Sequence, residues 1–244
     1  MAGQMMITFD DGLACHVAAA DILNDLDIKG VFGIVTSRVN QLGFVTEDDL
    51  NNMKKQGHTI CNHSAKHKWL GIGEPKPGKI RSTRDEITAD YLEGKAWLEK
   101  RGYRGDFLLV PFGTTNIDGG GHLNELVCEF EWLRVTIGAP VKMEYGWWTP
   151  QGSKRLFSKN YNGEIIGVSC AADTRNPTRI IETIDTAINA GSMAVLAYHS
   201  ICDVTGQAQN ITLEQAMNDF EYMAEKIKSG ELECVTPEQL IKTR

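Results

Sequence analysis

Four short stretches hold the residues whose types and spacing suit catalysis. The first is Ile7-Thr8-Phe9-Asp10-Asp11-Gly12, where two adjacent carboxylates stand at the point where an apolar run stops. Side chains alternate at a strand end, so Asp10 and Asp11 cannot share one face and must do different jobs. An isolated Asp-Asp-Gly also suits an ordinary turn before a helix. The second stretch is Asn62-His63-Ser64-Ala65-Lys66-His67. Two imidazoles four residues apart fall on one face of a helical turn. Two such nitrogens and one carboxylate leave an open position on zinc or a similar ion, as hydrolytic metal sites require. The third and fourth are Val110-Pro111-Phe112-Gly113 and Tyr198-His199, each directly after an apolar run.

These stretches need strands to carry them. Met5, Met6, Ile7 and Phe9 read as a short buried strand, and Gly12 permits a tight turn after it. A helix is predicted over about Cys15–Leu26, then a strand at Val31–Val35. Thr46 with Asp49 caps a helix over Glu47–Lys55, and His58–Cys61 reads as a strand. Thr83 with Glu86 caps an amphipathic helix that runs past Gly94 and Trp97 to before Gly102. Phe107–Val110 is a further strand, Gly119-Gly120-Gly121 a break, and Pro140–Asn162 reads as loops or a hairpin excursion. Strands at Ile165–Ser169, Met193–Tyr198 and Leu232–Val235 alternate with helices at Thr178–Ala190, from Thr212, which caps with Gln215, to about Lys228, and from Pro237. Strict alternation predicts a single α/β domain over residues 1–244 with a parallel sheet, barrel or doubly wound. In both, the C-terminal ends of the strands form the functional face, where Asp10, Asp11, His63, His67, Gly113 and His199 would meet.

The formal charge of −7 over 244 residues gives no basic footprint for nucleic acid or an anionic membrane. No apolar run reaches membrane-spanning length, and the N-terminus lacks a signal-peptide pattern. Six cysteines without CxxC spacing predict reduced, mostly buried thiols and a cytoplasmic history.

In order and spacing the motifs resemble the polysaccharide deacetylases, the NodB-homology domain of carbohydrate esterase family four. Thr8–Gly12 is similar to that family's first motif, His63–His67 to its second, Val110–Gly113 to a variant of its third, and the strand ending at His199 to its fifth. Asp173 stands where the fourth motif has an aspartate. The resemblance implies a distorted (β/α) barrel and a metal-dependent hydrolase that releases acetate from an N-acetylated amino-sugar polymer or oligosaccharide. It implies Asp10 as general base, His199 as general acid, and Asp11, His63 and His67 as ligands of Zn2+, or of Co2+ or Ni2+. It also implies oxyanion and substrate contacts at Pro111, Phe112 and Gly113.

The chain departs from the family where the third motif usually begins with an arginine, because Leu109 stands there. A buried carboxylate needs a charge partner, so Arg175, beside Asp173, is predicted to supply the guanidinium. Trp69, Tyr145, Trp147 and Trp148 offer flat surfaces for sugar rings, Trp69 foremost, whereas Trp97 and Trp132 read as core. Two rival readings are a hydrolase of another small C–N bond, a formamide or ring amide, and a glycan-binding module with weakened catalysis. A trimmed domain, or a module of a larger assembly such as a virion, would reconcile a family of exported enzymes with this N-terminus.

Overall fold

Capping chemistry and apolar strands place the elements close to where the sequence puts them. The structure is a computed structural model that describes residues 2–69, 82–113, 126, 128–137, 153–157, 168–171, 178–191, 193–201 and 210–242. Strand β1 (Gly3–Phe9) leads to α1 (His16–Asp25), β2 (Gly30–Ile34), α2 (Glu47–Lys55), β3 (Thr59–Asn62), α3 (Arg84–Glu99) and β4 (Arg104–Leu109). Then follow β5 (Trp132–Ile137), β6 (Ser153–Phe157), β7 (Val168–Ala171), α4 (Thr178–Ala190) and β8 (Met193–Tyr198). A two-residue pair, β9 (Ser200–Ile201) with β10 (Asn210–Ile211), precedes α5 (Leu213–Lys228), β11 (Leu232–Cys234) and α6 (Pro237–Lys242). All three expected caps are reciprocal boxes. Thr46, Thr83 and Thr212 accept the N–H of Asp49, Glu86 and Gln215, whose side chains accept the threonine N–H in return.

The main sheet runs β6-β5-β4-β3-β2-β1-β8-β7, with β11 paired to the first half of β1. Every pairing in it is parallel except β5 with β6. That antiparallel pair realises the hairpin excursion, while Gly119–Gly121 lie outside the described residues. The strand expected at Ile165–Ser169 is seen at Val168–Ala171. The sheet curls until its outer strands β6 and β7 come into contact, giving the expected distorted (β/α) barrel of parallel strands.

Period-two alternation divides the strand residues between two cores. Outside the curl, Phe9, Phe32, Tyr198 and Phe220 stack between sheet and helices, with Phe9 and Phe32 4.5 Å apart at near-parallel planes. Inside it, Met6, Val31, Cys61, Phe107, Leu109, Trp132 and Val195 form one buried apolar cluster. Two residues further along β1 and β5 from Met6 and Trp132, the same alternation brings Thr8 and Arg134 onto this inner face. The interior is thus apolar below and polar at the C-terminal strand ends. Among the described residues no helix is long and apolar enough to cross a membrane. No disulfide joins Cys15, Cys61, Cys128 or Cys234, of which Cys61 is buried and Cys128 exposed.

His58, at the entrance to β3, is 3% exposed and uses both ring nitrogens. Nδ1 accepts the Gly30 N–H at 3.0 Å, and Nε2–H donates to the Ala20 carbonyl at 3.0 Å. Only the neutral ring fits, and burial pulls its pKa down to about 4. Between the ordinary value of 6.5 and about 4 the unfolded chain binds a proton that the fold refuses, so stability falls as pH falls through that window. Buried His16, also pulled down to about 4, acts in the same direction. Asp219, raised by burial to about 6, acts in the opposite one. Comparing wild type with His58→Gln isolates the first contribution. Thermal unfolding midpoints of the variant should fall less between pH 6.5 and 4; parallel slopes would contradict this.

Candidate active site

The Asp-Asp pair is split by a change of backbone hand. Asp10 continues β1, and its N–H donates to the Tyr198 carbonyl at 2.9 Å. Asp11 and Gly12 then adopt φ of 80° and 66°. Aspartate tolerates that left-handed region better than most residues, and glycine enters it without a Cβ penalty. The two carboxylates therefore meet different partners. Asp10 is 3% exposed. Its Oδ2 accepts Arg134 Nη2–H at 2.6 Å and stands 3.6 Å from His199 Nε2. Asp11 Oδ1 lies 3.3 Å from His67 Nε2, 3.9 Å from His63 Nε2 and 3.6 Å from Arg38 Nη1. Burial, and then repulsion from Asp10, raise the Asp11 pKa.

His63 and His67 do converge, with ring centroids 5.0 Å apart, but not on a helical turn as expected. Residues 63–68 form an irregular bend, with Ser64 and His67 at positive φ. The Asn62 side chain accepts the Ser64 N–H at 2.8 Å, and Ser64 Oγ accepts the His67 N–H at 2.8 Å. Such side-chain bonds compete with helical ones and win here. His63 is 1% exposed, and its Nδ1–H donates to the Leu109 carbonyl at 2.6 Å. That bond fixes the tautomer whose Nε2 lone pair faces Asp11. Burial holds its pKa well below the ordinary histidine value, so the ring is neutral at pH 7.

The residues suit a divalent ion. Asp11, His63 and His67 each offer a ligand atom within 4.8 Å of the others. Ligand atoms about 2.0–2.1 Å from one tetrahedral ion stand roughly 3.3 Å apart, which the Asp11–His67 pair already matches. A neutral imidazole with its second nitrogen tied to a carbonyl, beside a crowded carboxylate, is the donor set such an ion takes.

Around this cluster, Pro111–Gly113 form a tight turn after β4, kinked at Phe112, whose φ is 58°. The Phe112 ring tilts over His67 at 4.6 Å and is 44% exposed, so it lines the mouth. Trp69 is only 9% exposed, so among the described residues beside the histidines it is Phe112 that keeps an exposed ring. Trp132 is fully buried as expected, and Trp97 packs partly buried against the core with Arg101 3.8 Å above its ring. Asp173, Arg175, Tyr145, Trp147 and Trp148 lie outside the described residues.

Sequence reasoning missed three residues. Arg134, fully buried, is the guanidinium found at Asp10; it is the Cα partner of Leu109 on the neighbouring strand. The cation thus stands one strand along the sheet from Leu109. Its signal was a lone charge inside the apolar run Trp132-Leu133-Arg134-Val135. His16, at the start of α1, donates from Nε2 to the His199 carbonyl at 2.7 Å and steadies the strand end that carries His199. Arg38, from the turn after β2, stands beside Asp11 and near the Phe44 ring.

A curled parallel sheet with an Asp-Asp turn facing a two-histidine loop at its C-terminal edge is the architecture of the NodB-type deacetylase family. The chain belongs to the polysaccharide deacetylase family, whose pattern it matches over residues 2–124. No curated protein matches it significantly. Among solved structures it is similar to the Xyl-CE4 domain of a multidomain xylanase from the hindgut metagenome of Trinervitermes trinervoides: 15% identity, TM-score 0.55, covering 100% of this chain and 91% of that one. Peptidoglycan deacetylase PdaC from Bacillus subtilis matches at 18% identity and TM-score 0.54, covering 99% and 91%. A family 4 acetyl xylan esterase from Clostridium thermocellum, solved with a cobalt ion, matches at 18% and 0.54, covering 98% and 91%.

Replacing Arg134 by Met should cost about 3–5 kcal/mol of stability, because it leaves the Asp10 carboxylate buried without its cation. Adding Asp10→Asn to Arg134→Met should recover much of that loss. Denaturant unfolding of the two single variants and the double measures it; a loss below about 1 kcal/mol for Arg134→Met would show that the pair contributes no more than an exposed one.

Proposed function

We propose that the chain is a single catalytic domain over residues 1–244, a metal-dependent hydrolase that removes N-acetyl groups from an amino-sugar polymer or oligosaccharide, of chitooligosaccharide or peptidoglycan type, and releases acetate. One observation carries this reading: neighbouring carboxylates are divided between a two-histidine cluster and a buried guanidinium with a third imidazole. Asp11, His63 and His67 would hold the ion, Zn2+ or alternatively Co2+ or Ni2+. When bound, such an ion polarises the amide carbonyl and makes water a competent nucleophile near neutral pH. The cobalt ion in the Clostridium thermocellum relative supports the choice of a transition metal.

Asp10 acts as general base. Arg134 keeps the carboxylate charged and aimed, and the proton it accepts is that of the attacking water. The Phe112 backbone N–H, presented by the tight turn, donates to the oxygen that gains charge as the carbonyl becomes tetrahedral. His199, protonated, gives its proton to the departing nitrogen. One C–N bond breaks, the hydroxyl of water stays on the acyl carbon as acetate, and the sugar leaves as a free amine. The exposed Phe112 ring, with Pro111 and Gly113 framing it, offers an apolar surface to the sugar. The xylanase relative is one domain of a multidomain protein, which supports reading this chain as a module able to work within a larger assembly.

Acetate release from a panel of N-acetylated oligosaccharides tests the proposal. Release should vanish after chelation and return with zinc or cobalt. Asp10→Asn should lower turnover on the order of 10²–10⁴-fold while metal uptake is retained. No release by metal-loaded protein, or full activity in Asp10→Asn, would overturn it.

A further inference from the structure

The segment that carries His63 and His67 has no helix or strand of its own to hold it, yet it keeps Ser64 at φ 72° and His67 at φ 55°. Neighbours impose that shape. From one side, the N–H groups of Thr36 and Ser37 donate to the carbonyls of Ser64 and Ala65 at 3.1 and 3.0 Å. From the other, α3 presents Asp90, 2% exposed. The Asp90 carbonyl accepts the Ala65 N–H at 3.0 Å. Its Oδ1 accepts the Lys66 N–H at 2.9 Å, and its Oδ2 takes the Lys68 N–H at 3.4 Å.

These two bonds straddle His67. A buried carboxylate is expensive to desolvate, and plain packing at this position would be served by an apolar side chain. Both oxygens instead go to backbone N–H groups, the charge-assisted bonds that best define a local backbone conformation. The Lys66 ammonium, which could have neutralised Asp90, pairs with Glu93 at 2.7 Å. α3 also approaches unusually closely: a Cβ on Gly94 would stand 2.6 Å from Asn62 Oδ1 and 2.8 Å from the Ser64 carbonyl carbon. The glycine that interrupts the amphipathic pattern of α3 is what lets Asp90 reach the loop.

We propose that Asp90 is a positioning residue of the metal site: by gripping the N–H groups of Lys66 and Lys68 it holds His67 at the left-handed φ that turns Nε2 toward Asp11, and so sets the affinity for the ion. The inference rests on Asp11, His63 and His67 being the ligands. Outer partners of this kind are worth on the order of 10–100-fold in metal affinity.

Cobalt binding to the metal-stripped whole chain, read by competition with a chromophoric chelator and by the d–d absorption band, tests this without using turnover. Asp90→Asn is isosteric, keeps one acceptor and sets an amide N–H against the other donor. Asp90→Ser is smaller and offers a second background, and far-ultraviolet circular dichroism identifies the folded variants. Either folded variant should bind cobalt on the order of 10–100-fold more weakly, with a changed band. Lys66→Ala, which keeps the backbone N–H, should leave affinity and band unchanged. Wild type that takes up no cobalt would overturn the ligand assignment and this inference together. Wild-type uptake with equal affinity and band in the Asp90 variants would overturn this inference alone.

Discussion

The buried contact between Asp10 and Arg134 is the constraint around which the strand ends are arranged. Taking a carboxylate and a guanidinium out of water costs several kcal/mol per ion, and their attraction offsets this only where further hydrogen bonds complete the geometry. Here they do. Arg134 Nη1–H also donates to Thr8 Oγ1 at 3.2 Å, and the Thr8 hydroxyl in turn donates a hydrogen bond to the Leu196 carbonyl at 2.7 Å. One polar chain thus ties β5, β1 and β8 across the inside of the curl, above the layer of Met6, Trp132 and Val195. With Asp10 committed to that chain, Asp11 is the carboxylate left to face the histidines.

Strained backbone gathers at the same place. Positive φ at non-glycine residues occurs among the described residues at Asp11, Asp27, Asn40, Ser64, His67 and Phe112, and four of these six belong to the site. Each such residue costs on the order of 1–3 kcal/mol and persists only where its surroundings over-determine it. The surroundings are visible: β1 and β2 beneath Asp11, Asn62 and Asp90 around the histidine loop, and the end of β4 beneath Phe112. A rigid parallel sheet carries loops that would not hold these conformations alone. Burial then tunes the site chemically, keeping His63 neutral and raising the Asp11 pKa.

The fold was legible because its signals are local. The threonine caps at Thr46, Thr83 and Thr212, and the apolar runs of β1, β2 and β8, are each decided within a few residues. The Asp-Asp and His-His pairs were legible for the same reason. What sequence reasoning misplaced depends on contacts between distant segments. His63–His67 has helical spacing, but Asn62 and Asp90 override it with bonds to the loop backbone. Arg134 escaped notice because its partner lies 124 residues away, and nothing within β5 says which carboxylate it will meet. Trp69 carries no sign in its own neighbourhood that it will be covered.

The division of labour between the two carboxylates is the central claim, and anomalous diffraction from crystals grown with zinc or cobalt tests it most directly. One peak bonded to Asp11, His63 and His67, with Asp10 still on Arg134, is the predicted result. An ion ligated by Asp10, with Arg134 displaced from it, or an ion bound away from the two histidines, would contradict the account.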